Sequence, residues 1–190
     1  MIAALAGRRI DAPDAPTEQF PPRFRERVLT RIDEAFAACG ITTLVSAAAC
    51  GADLLALAAA RRRGIAIRIV LPFGIADYRR ISVVDRGSEW GETFDRLVGE
   101  SAAHGDVHVL GLDVADERAF ALTNAALLDD AFALADGSAL DVLAFAVWDG
   151  PRGEAPDYTA SFAAAAEARG VPVRSIPILF EPSSTGHRVS

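Results

Sequence analysis

Short apolar runs alternate along the chain with longer segments in which apolar residues have helical spacing. Runs rich in β-branched residues predict strands, and apolar positions three or four residues apart, such as Val28, Ile32 and Phe36, predict helices. Residues 72–90 mix polar and apolar positions without a clear period, which predicts a long loop. The predicted strands cover 1–6, 41–46, 65–71, 107–110, 140–147 and 171–178, and the predicted helices cover 24–39, 52–63, 92–103, 116–136 and 159–169.

The predicted strands 65–71 and 140–147 are apolar almost throughout rather than at every second position. Continuous hydrophobicity is typical of strands that are covered on both faces, as in a parallel sheet. Gly40 and Gly64 follow two of the predicted helices and suit their C-terminal caps. We therefore expect one α/β domain over 1–180, a doubly wound and mostly parallel sheet with helices on both faces. We expect 181–190 to be a flexible tail.

The composition limits which classes of protein this chain can belong to. With 190 residues, 51% hydrophobic and 24% charged, the chain is long enough for one globular core. Its formal net charge of -7 disfavours a nucleic-acid groove. Two cysteines give neither a disulfide framework nor a thiolate zinc site, and no apolar run has the length of a membrane helix. We expect a cytoplasmic protein without metal, cofactor, nucleic-acid partner or membrane association.

Lysine is absent, so that all 19 basic residues are arginines. Phosphate-loop enzymes and Schiff-base enzymes both require a lysine amine, and their chemistry is therefore excluded. The chain also lacks the G-x-G-x-x-G and G-x-S-x-G motifs, which disfavours a conventional dinucleotide enzyme and an α/β-hydrolase. His104 and His108 lack further ligands at metal spacing and are interpreted as surface residues.

In an open parallel sheet, ligands bind beyond the carboxyl ends of the strands, near the N-termini of helices. Small, polar and cationic residues follow several of the predicted strands. The candidate ligand-binding residues are Gly7, Arg8, Arg9, Asp11, Ala48, Cys50, Gly51, Asp53, Pro72, Phe73, Trp148, Asp149, Gly150, Thr159 and Ala160.

Several of these candidates have a structural alternative. Arg8 either binds a phosphate or is solvated beside a turn. Asp53 either holds a ribose hydroxyl or caps the first turn of its helix, and Thr159 either contacts phosphate or is an ordinary N-cap. Trp148 either stacks on a base or belongs to the core. Asn124, a polar residue in the middle of a predicted helix, either contacts the ligand or faces water.

Five ordered motifs carry a resemblance to a known family: Gly7-Arg8-Arg9-Ile10-Asp11, residues 48–53, Leu71-Pro72-Phe73 with Tyr78 and Ser82-Val83, Trp148-Asp149-Gly150, and Thr159-Ala160. Over about residues 1–178 the chain resembles the SLOG superfamily of Rossmann-like domains that bind nucleotide derivatives. That superfamily includes the LOG cytokinin-activating phosphoribohydrolases and DNA-processing protein A. The resemblance implies a Rossmann-like fold and a nucleotide or nucleotide-derived ligand.

The chain departs from this family pattern near its last helix. Asp157 and Tyr158 stand where relatives commonly have two glycines, and residues 161–163 lack the glutamate that LOG enzymes place there. The expected function is therefore a sensor that binds a phosphate-containing nucleotide derivative. One alternative is a LOG-type N-glycosidase with Asp53, Glu154 or Asp157 as acid or base. Another is a domain for partner docking or self-association, such as a homodimer, whose pocket Tyr158 closes.

Overall fold

A computed structural model describes residues 1–151 and 157–179. Within these residues the strands form one six-stranded sheet. Its strand order is β4-β3-β2-β1-β5-β6, and every neighbouring pair is parallel. The strands are β1 (Ile2–Gly7), β2 (Thr43–Ser46), β3 (Ala66–Leu71), β4 (Val107–Val109), β5 (Val142–Val147) and β6 (Val173–Ile176). The expected doubly wound α/β fold is confirmed, and the strand order reverses at β1.

Helices cover both faces of this sheet. The α-helices are α1 (Arg25–Ala38), α2 (Ala52–Arg62), α3 (Ile75–Ser82), α4 (Glu89–Ala103), α5 (Ala119–Leu134) and α6 (Tyr158–Ala168). Helices α1, α2 and α4 pack on one face, and α5 and α6 pack on the other. Among the described residues, no helix has both the length and the apolar character needed to cross a membrane.

Strand β1 supplies side chains to two separate cores. Ala3 and Leu5 belong to the core under α1, α2 and α4, whereas Ala4 and Ala6 belong to the core under α5 and α6. This alternation follows from the two-residue period of a strand. The small side chains of β1 allow helices on both faces to approach its backbone closely. The carboxyl end of β1 thus lies between both helical layers.

The prediction of a loop over residues 72–90 is wrong, because α3 and the start of α4 lie within this segment. In α3 only Tyr78 and Ser82 are buried, so that the apolar period is too weak to predict a helix. The other predicted elements are present with ends that differ by a few residues. The predicted tail, 181–190, lies outside the described residues.

A tight junction joins the end of β1 to the start of α2. The Ala52 N–H donates to the Arg8 carbonyl at 3.1 Å, and the Ile10 N–H donates to the Cys50 carbonyl at 3.1 Å. Gly51 has a φ of 110°, and a Cβ at this position would lie 2.5 Å from the Ile10 nitrogen. The junction therefore requires glycine at this position.

We predict that Gly51→Ala lowers the free energy of unfolding by at least about 2 kcal/mol, because a side chain would meet both an unfavourable φ and neighbouring backbone. Gly99→Ala in α4 is the matched control, since a Cβ there meets no other atom within 4 Å. A helical alanine in place of glycine stabilises by up to about 1 kcal/mol. Urea unfolding of both variants measures the two effects, and equal stability of both would contradict this account of the junction.

Candidate functional site

A cavity of about 440 Å³ lies at the carboxyl edge of the sheet, over the end of β1. Its wall is contributed by β1, the segment after β2, α2, α3, α5, α6 and the loop 15–19. Six of the residues predicted from sequence line this cavity: Gly7, Arg8, Arg9, Asp11, Asp53 and Thr159. Residues that were predicted from the ends of three separate strands thus meet in one cavity.

Three further predicted residues lie in the connection between β2 and α2 without lining the cavity. Ala48 and Cys50 are fully buried, and Gly51 forms the junction with β1. The Cys50 sulfur accepts a hydrogen bond from the Arg9 guanidinium at 3.4 Å. Burial raises the pKa of the Cys50 thiol, which is therefore held in its neutral form. These residues support the floor of the cavity.

Pro72 and Phe73 also lie outside the cavity wall. The Phe73 side chain is buried, and its ring centroid lies 5.8 Å from that of Tyr78 and 6.2 Å from that of Phe120. The Pro72 carbonyl accepts a hydrogen bond from the Leu112 N–H at 2.8 Å. Phe73 therefore packs behind two aromatic residues of the wall, and Pro72 pairs with the segment after β4.

The remaining predicted residues, Trp148, Asp149, Gly150 and Ala160, organise the loops around β5 and α6. The Trp148 indole nitrogen donates to the Ser175 hydroxyl at 3.2 Å. The Asp149 carboxylate accepts hydrogen bonds from the backbone N–H groups at 178 and 179. The Gly150 carbonyl accepts from Arg8 at 3.3 Å. We find these four residues outside the cavity wall, in contact with the segments that hold it.

Arg8 forms an ion pair with Asp157 through two hydrogen bonds. Nη1 lies 2.8 Å from Oδ1, and Nη2 lies 2.5 Å from Oδ2. The two side chains are only 13% and 11% exposed. Asp157 also accepts from the Ala160 N–H at 3.0 Å and is therefore the N-cap of α6. The interpretation of Thr159 as the cap is wrong, because Thr159 is a buried residue inside the helix.

A second cluster of charges lies on the other side of the junction. The Arg9 guanidinium is paired with Asp85, and Arg86 donates to the Ile10 carbonyl at 2.7 Å. Asp11 accepts hydrogen bonds from the N–H groups of Gln19 and Phe20, which fixes the loop before α1. Arginine side chains thus reach the cavity while they hold the surrounding loops.

Asp53 is 7% exposed and lies at the start of α2. Its Oδ2 accepts from the Ala49 N–H at 3.3 Å, and no side chain caps the first turn of α2. The interpretation of Asp53 as a capping residue is therefore wrong, although it does place an acidic side chain in the first turn of α2. Burial raises the pKa of Asp53 to about 7, against the opposing effects of the Ala49 amide, Arg9 and the Gly7 amide. Asp53 is consequently a carboxyl group that titrates near neutral pH.

The wall opposite the arginines is formed by residues that the candidate list does not contain. Phe120, Asn124 and Tyr158 line the cavity together with Tyr78 and Thr123. The Asn124 amide donates to the Tyr158 carbonyl at 2.7 Å, and the ring centroids of Phe120 and Tyr158 are 5.7 Å apart. The polar Asn124 inside a helix was a usable signal for this wall. Phe120 carried no signal, because it resembles a core residue in sequence, whereas Tyr78 and Tyr158 stood out only through the family resemblance.

Within residues 1–151 and 157–179, no group of three His, Cys, Asp or Glu side chains could hold a metal ion. His104 and His108 are exposed, as expected. The acidic candidate Glu154 lies outside the described residues.

No family model matches this sequence, and no curated protein is significantly similar to it. The resemblance to the SLOG superfamily therefore stays a prediction. What the cavity binds has to be inferred from its geometry.

We predict that the free energy of unfolding falls by roughly 2 to 3 kcal/mol between pH 5 and pH 8 because of Asp53 alone. The folded pKa of about 7 exceeds the unfolded value of about 3.9, so the folded state binds the extra proton. This stabilisation is complete below the unfolded pKa and is lost as the pH rises through 7.

Asp53→Asn should remove this component, because the amide resembles the neutral carboxyl. The pH profiles of the two proteins should therefore diverge most above pH 7, where the wild type buries a charge. Asp129→Asn is the control, because the Asp129 side chain is 66% exposed and lies on α5. Chemical denaturation at four pH values provides the measurement. Parallel profiles for the wild type and Asp53→Asn would show that Asp53 has an ordinary pKa.

Proposed function

We propose that this chain binds a nucleotide-derived ligand in the cavity at the carboxyl edge of its sheet and acts as a sensor of that ligand. The observation that carries the proposal is the position of the cavity, over β1, where the strand order reverses. In open α/β sheets this reversal point is the usual ligand site, because loops diverge there to either side. The volume of about 440 Å³ falls within the range of small-molecule sites.

The chemical character of the wall supports a ligand with both a flat ring and an anionic group. Phe120 and Tyr158 offer aromatic surface, and Asn124 adds an amide beside them. Arg8 and Arg9 bring guanidinium groups, which match phosphate oxygens in pairs. A nucleotide derivative combines these two features in one molecule. Tyr158 contributes to the wall without filling the cavity, which favours binding over the alternative of a closed pocket.

A LOG-type N-glycosidase is the second candidate, and Asp53 is the observation that favours it. A buried carboxyl with a pKa of about 7 is suited to protonate a leaving base at neutral pH. Asp157, another acid considered from sequence, is instead engaged by Arg8 and by the N-terminus of α6. Release of free base from a nucleoside monophosphate would establish this activity, whereas binding without release supports the sensor.

We predict that a nucleotide derivative raises the melting temperature of the protein and that Ala47→Leu abolishes the shift. A ligand at a hundred times its Kd stabilises by about 2.7 kcal/mol. Ala47 lines the cavity and is only partly buried, so a larger side chain occupies ligand space without disturbing the core. The panel contains nucleoside mono- and diphosphates, cyclic nucleotides, NAD and ADP-ribose.

Ala58→Leu is the matched control for this experiment. Ala58 is also partly buried but lies in α2, outside the cavity wall. Its variant should retain the full shift. No shift with any compound would refute the proposal, and a stable oligomer in the same sample would favour the self-association alternative.

We predict that Asp157→Asn increases the affinity for a nucleoside monophosphate about five-fold and leaves the affinity for the nucleoside unchanged. Arg8 is engaged by Asp157, and a ligand phosphate has to compete with that carboxylate. Desolvation offsets much of the attraction in a mostly buried ion pair, so removal of the competing charge is expected to change binding by about 1 kcal/mol, which is about five-fold. Calorimetric titration of both ligands separates the two effects. Equal gains for nucleoside and nucleotide would place the phosphate away from Arg8.

A further inference from the structure

Asp53 is held at the floor of the cavity by the junction between β1 and α2. It is the second residue of α2, an eleven-residue helix that begins directly after Gly51. The side chain is 7% exposed and contributes to the cavity wall. A charged group with so little exposure is retained only where hydrogen bonds compensate for its loss of hydration.

The two carboxyl oxygens of Asp53 differ in their hydrogen bonding. Oδ2 accepts from the Ala49 N–H at 3.3 Å. Oδ1 is buried and has no hydrogen bond of normal geometry among the described residues, although the Gly7 amide lies near enough to the carboxyl to lower its pKa. Most buried polar atoms of proteins have a hydrogen-bond partner, so an unsatisfied oxygen on a residue of the cavity wall is a candidate contact for a ligand. The oxygen without a partner thus marks the point at which a ligand can be recognised.

The groups that surround Asp53 come from the end of β1, the connection before α2, helix α3 and residues 85–86. The Gly7 amide and Arg9 lie at the end of β1, the Ala49 amide precedes α2, and the Tyr78 hydroxyl comes from α3. Cys50 and the ion pair of Arg9 with Asp85 complete this environment, with Arg86 beyond it. Burial raises the pKa values of Tyr78 and Cys50, which keeps both groups neutral. Arg9 and the two amides therefore favour the carboxylate form of Asp53, against the effect of burial.

We propose that Oδ1 of Asp53 accepts a hydrogen bond from a donor on the ligand, in a nucleotide a ribose hydroxyl, and that ligand binding thereby releases a proton from Asp53. This inference rests on the proposed function. The protein groups that lower the pKa of Asp53 all carry N–H donors, and a further donor from the ligand would add to the set that stabilises the ionised form. An acceptor on the ligand would instead require the protonated form.

The proposal predicts a defined pH dependence. A carboxyl that titrates at about 7 is about nine-tenths protonated at pH 6, and the donor must then displace its proton. Affinity for a ribonucleotide should rise about ten-fold between pH 6 and pH 8 and level off above that. Asp11, the other carboxyl of the wall, already accepts backbone hydrogen bonds, and the described histidines His104 and His108 are exposed outside the wall. Asp53 is thus the described wall residue expected to titrate in this range.

Isothermal titration calorimetry of the full chain tests the proposal, with AMP, GMP, CMP, UMP and ADP-ribose as probes. Each monophosphate is compared with its 2′-deoxy and 3′-deoxy forms at pH 6, 7 and 8, in two buffers of different ionisation enthalpy. The proteins are the wild type, Asp53→Asn and the control Asp129→Asn. Because the ligand phosphate also titrates near pH 6, the quantity compared is the ratio of wild-type to variant Kd.

We expect the wild type and Asp129→Asn to release about half a proton at pH 7 and to bind a deoxy form about ten-fold more weakly at pH 8. Asp53→Asn should lose this proton release, and it should bind a ribonucleotide and its deoxy forms with similar affinity. Proton release and discrimination are also measured on the wild type alone, so a poorly folded variant would not remove the test.

The outcomes separate this proposal from the proposed function. If ribonucleotides bind but Asp53→Asn keeps the discrimination and the pH dependence, the role of Asp53 is refuted and the binding function stands. Affinity that falls as the pH rises would overturn the assignment of a ligand donor. Absence of binding by every probe would overturn the binding function itself, and this inference with it.

Discussion

The close approach of β1, β5 and α2 at two glycines is the constraint on which the candidate site depends. A Cβ on Gly7 would lie 2.5 Å from the Ala52 Cβ and 2.7 Å from the Val147 Cβ. A Cβ on Gly51 would meet the backbone of the loop after β1. Any side chain at either position would push α2 away from the sheet. The residues after β1, and Asp53 at the start of α2, are therefore brought to the same cavity by backbone packing rather than by their own contacts.

Arginine serves two purposes at this edge of the sheet: it holds neighbouring loops and it lines the cavity. A guanidinium group has several donors in a plane, so it can hold one carboxylate and still reach a neighbouring acceptor. Arg8 binds Asp157 and the Gly150 carbonyl, and Arg9 binds Asp85 and the Cys50 sulfur. These contacts tie α6 and the segment after α3 to β1. A ligand anion would replace one of these carboxylates at its arginine. Because the carboxylates belong to these segments, binding would be coupled to the position of the segments.

The sequence was sufficient for the fold and for part of the site. Apolar periodicity located the sheet and five of the helices, since burial on both faces leaves continuous apolar runs. The strand-end rule found Arg8 and Asp53 because it depends only on where strands finish. It could not find Phe120 on α5, whose place under β1 follows from the order of strands. Nor could it pair Arg8 with Asp157, because 149 positions separate them and only the folded chain brings them together.

Three aspartates at the carboxyl edge of the sheet differ in how their oxygens are engaged. The Asp11 carboxylate accepts backbone N–H groups of the loop before α1, and Asp149 accepts those after β6. Both of these side chains anchor loops with both oxygens engaged. Asp53 lies deeper than either, yet one of its oxygens has no partner in the described part of the chain. Burial of a carboxyl with an unsatisfied oxygen is unfavourable to the folded state. Under the proposed function, a donor on the ligand supplies the hydrogen bond that the described residues leave out.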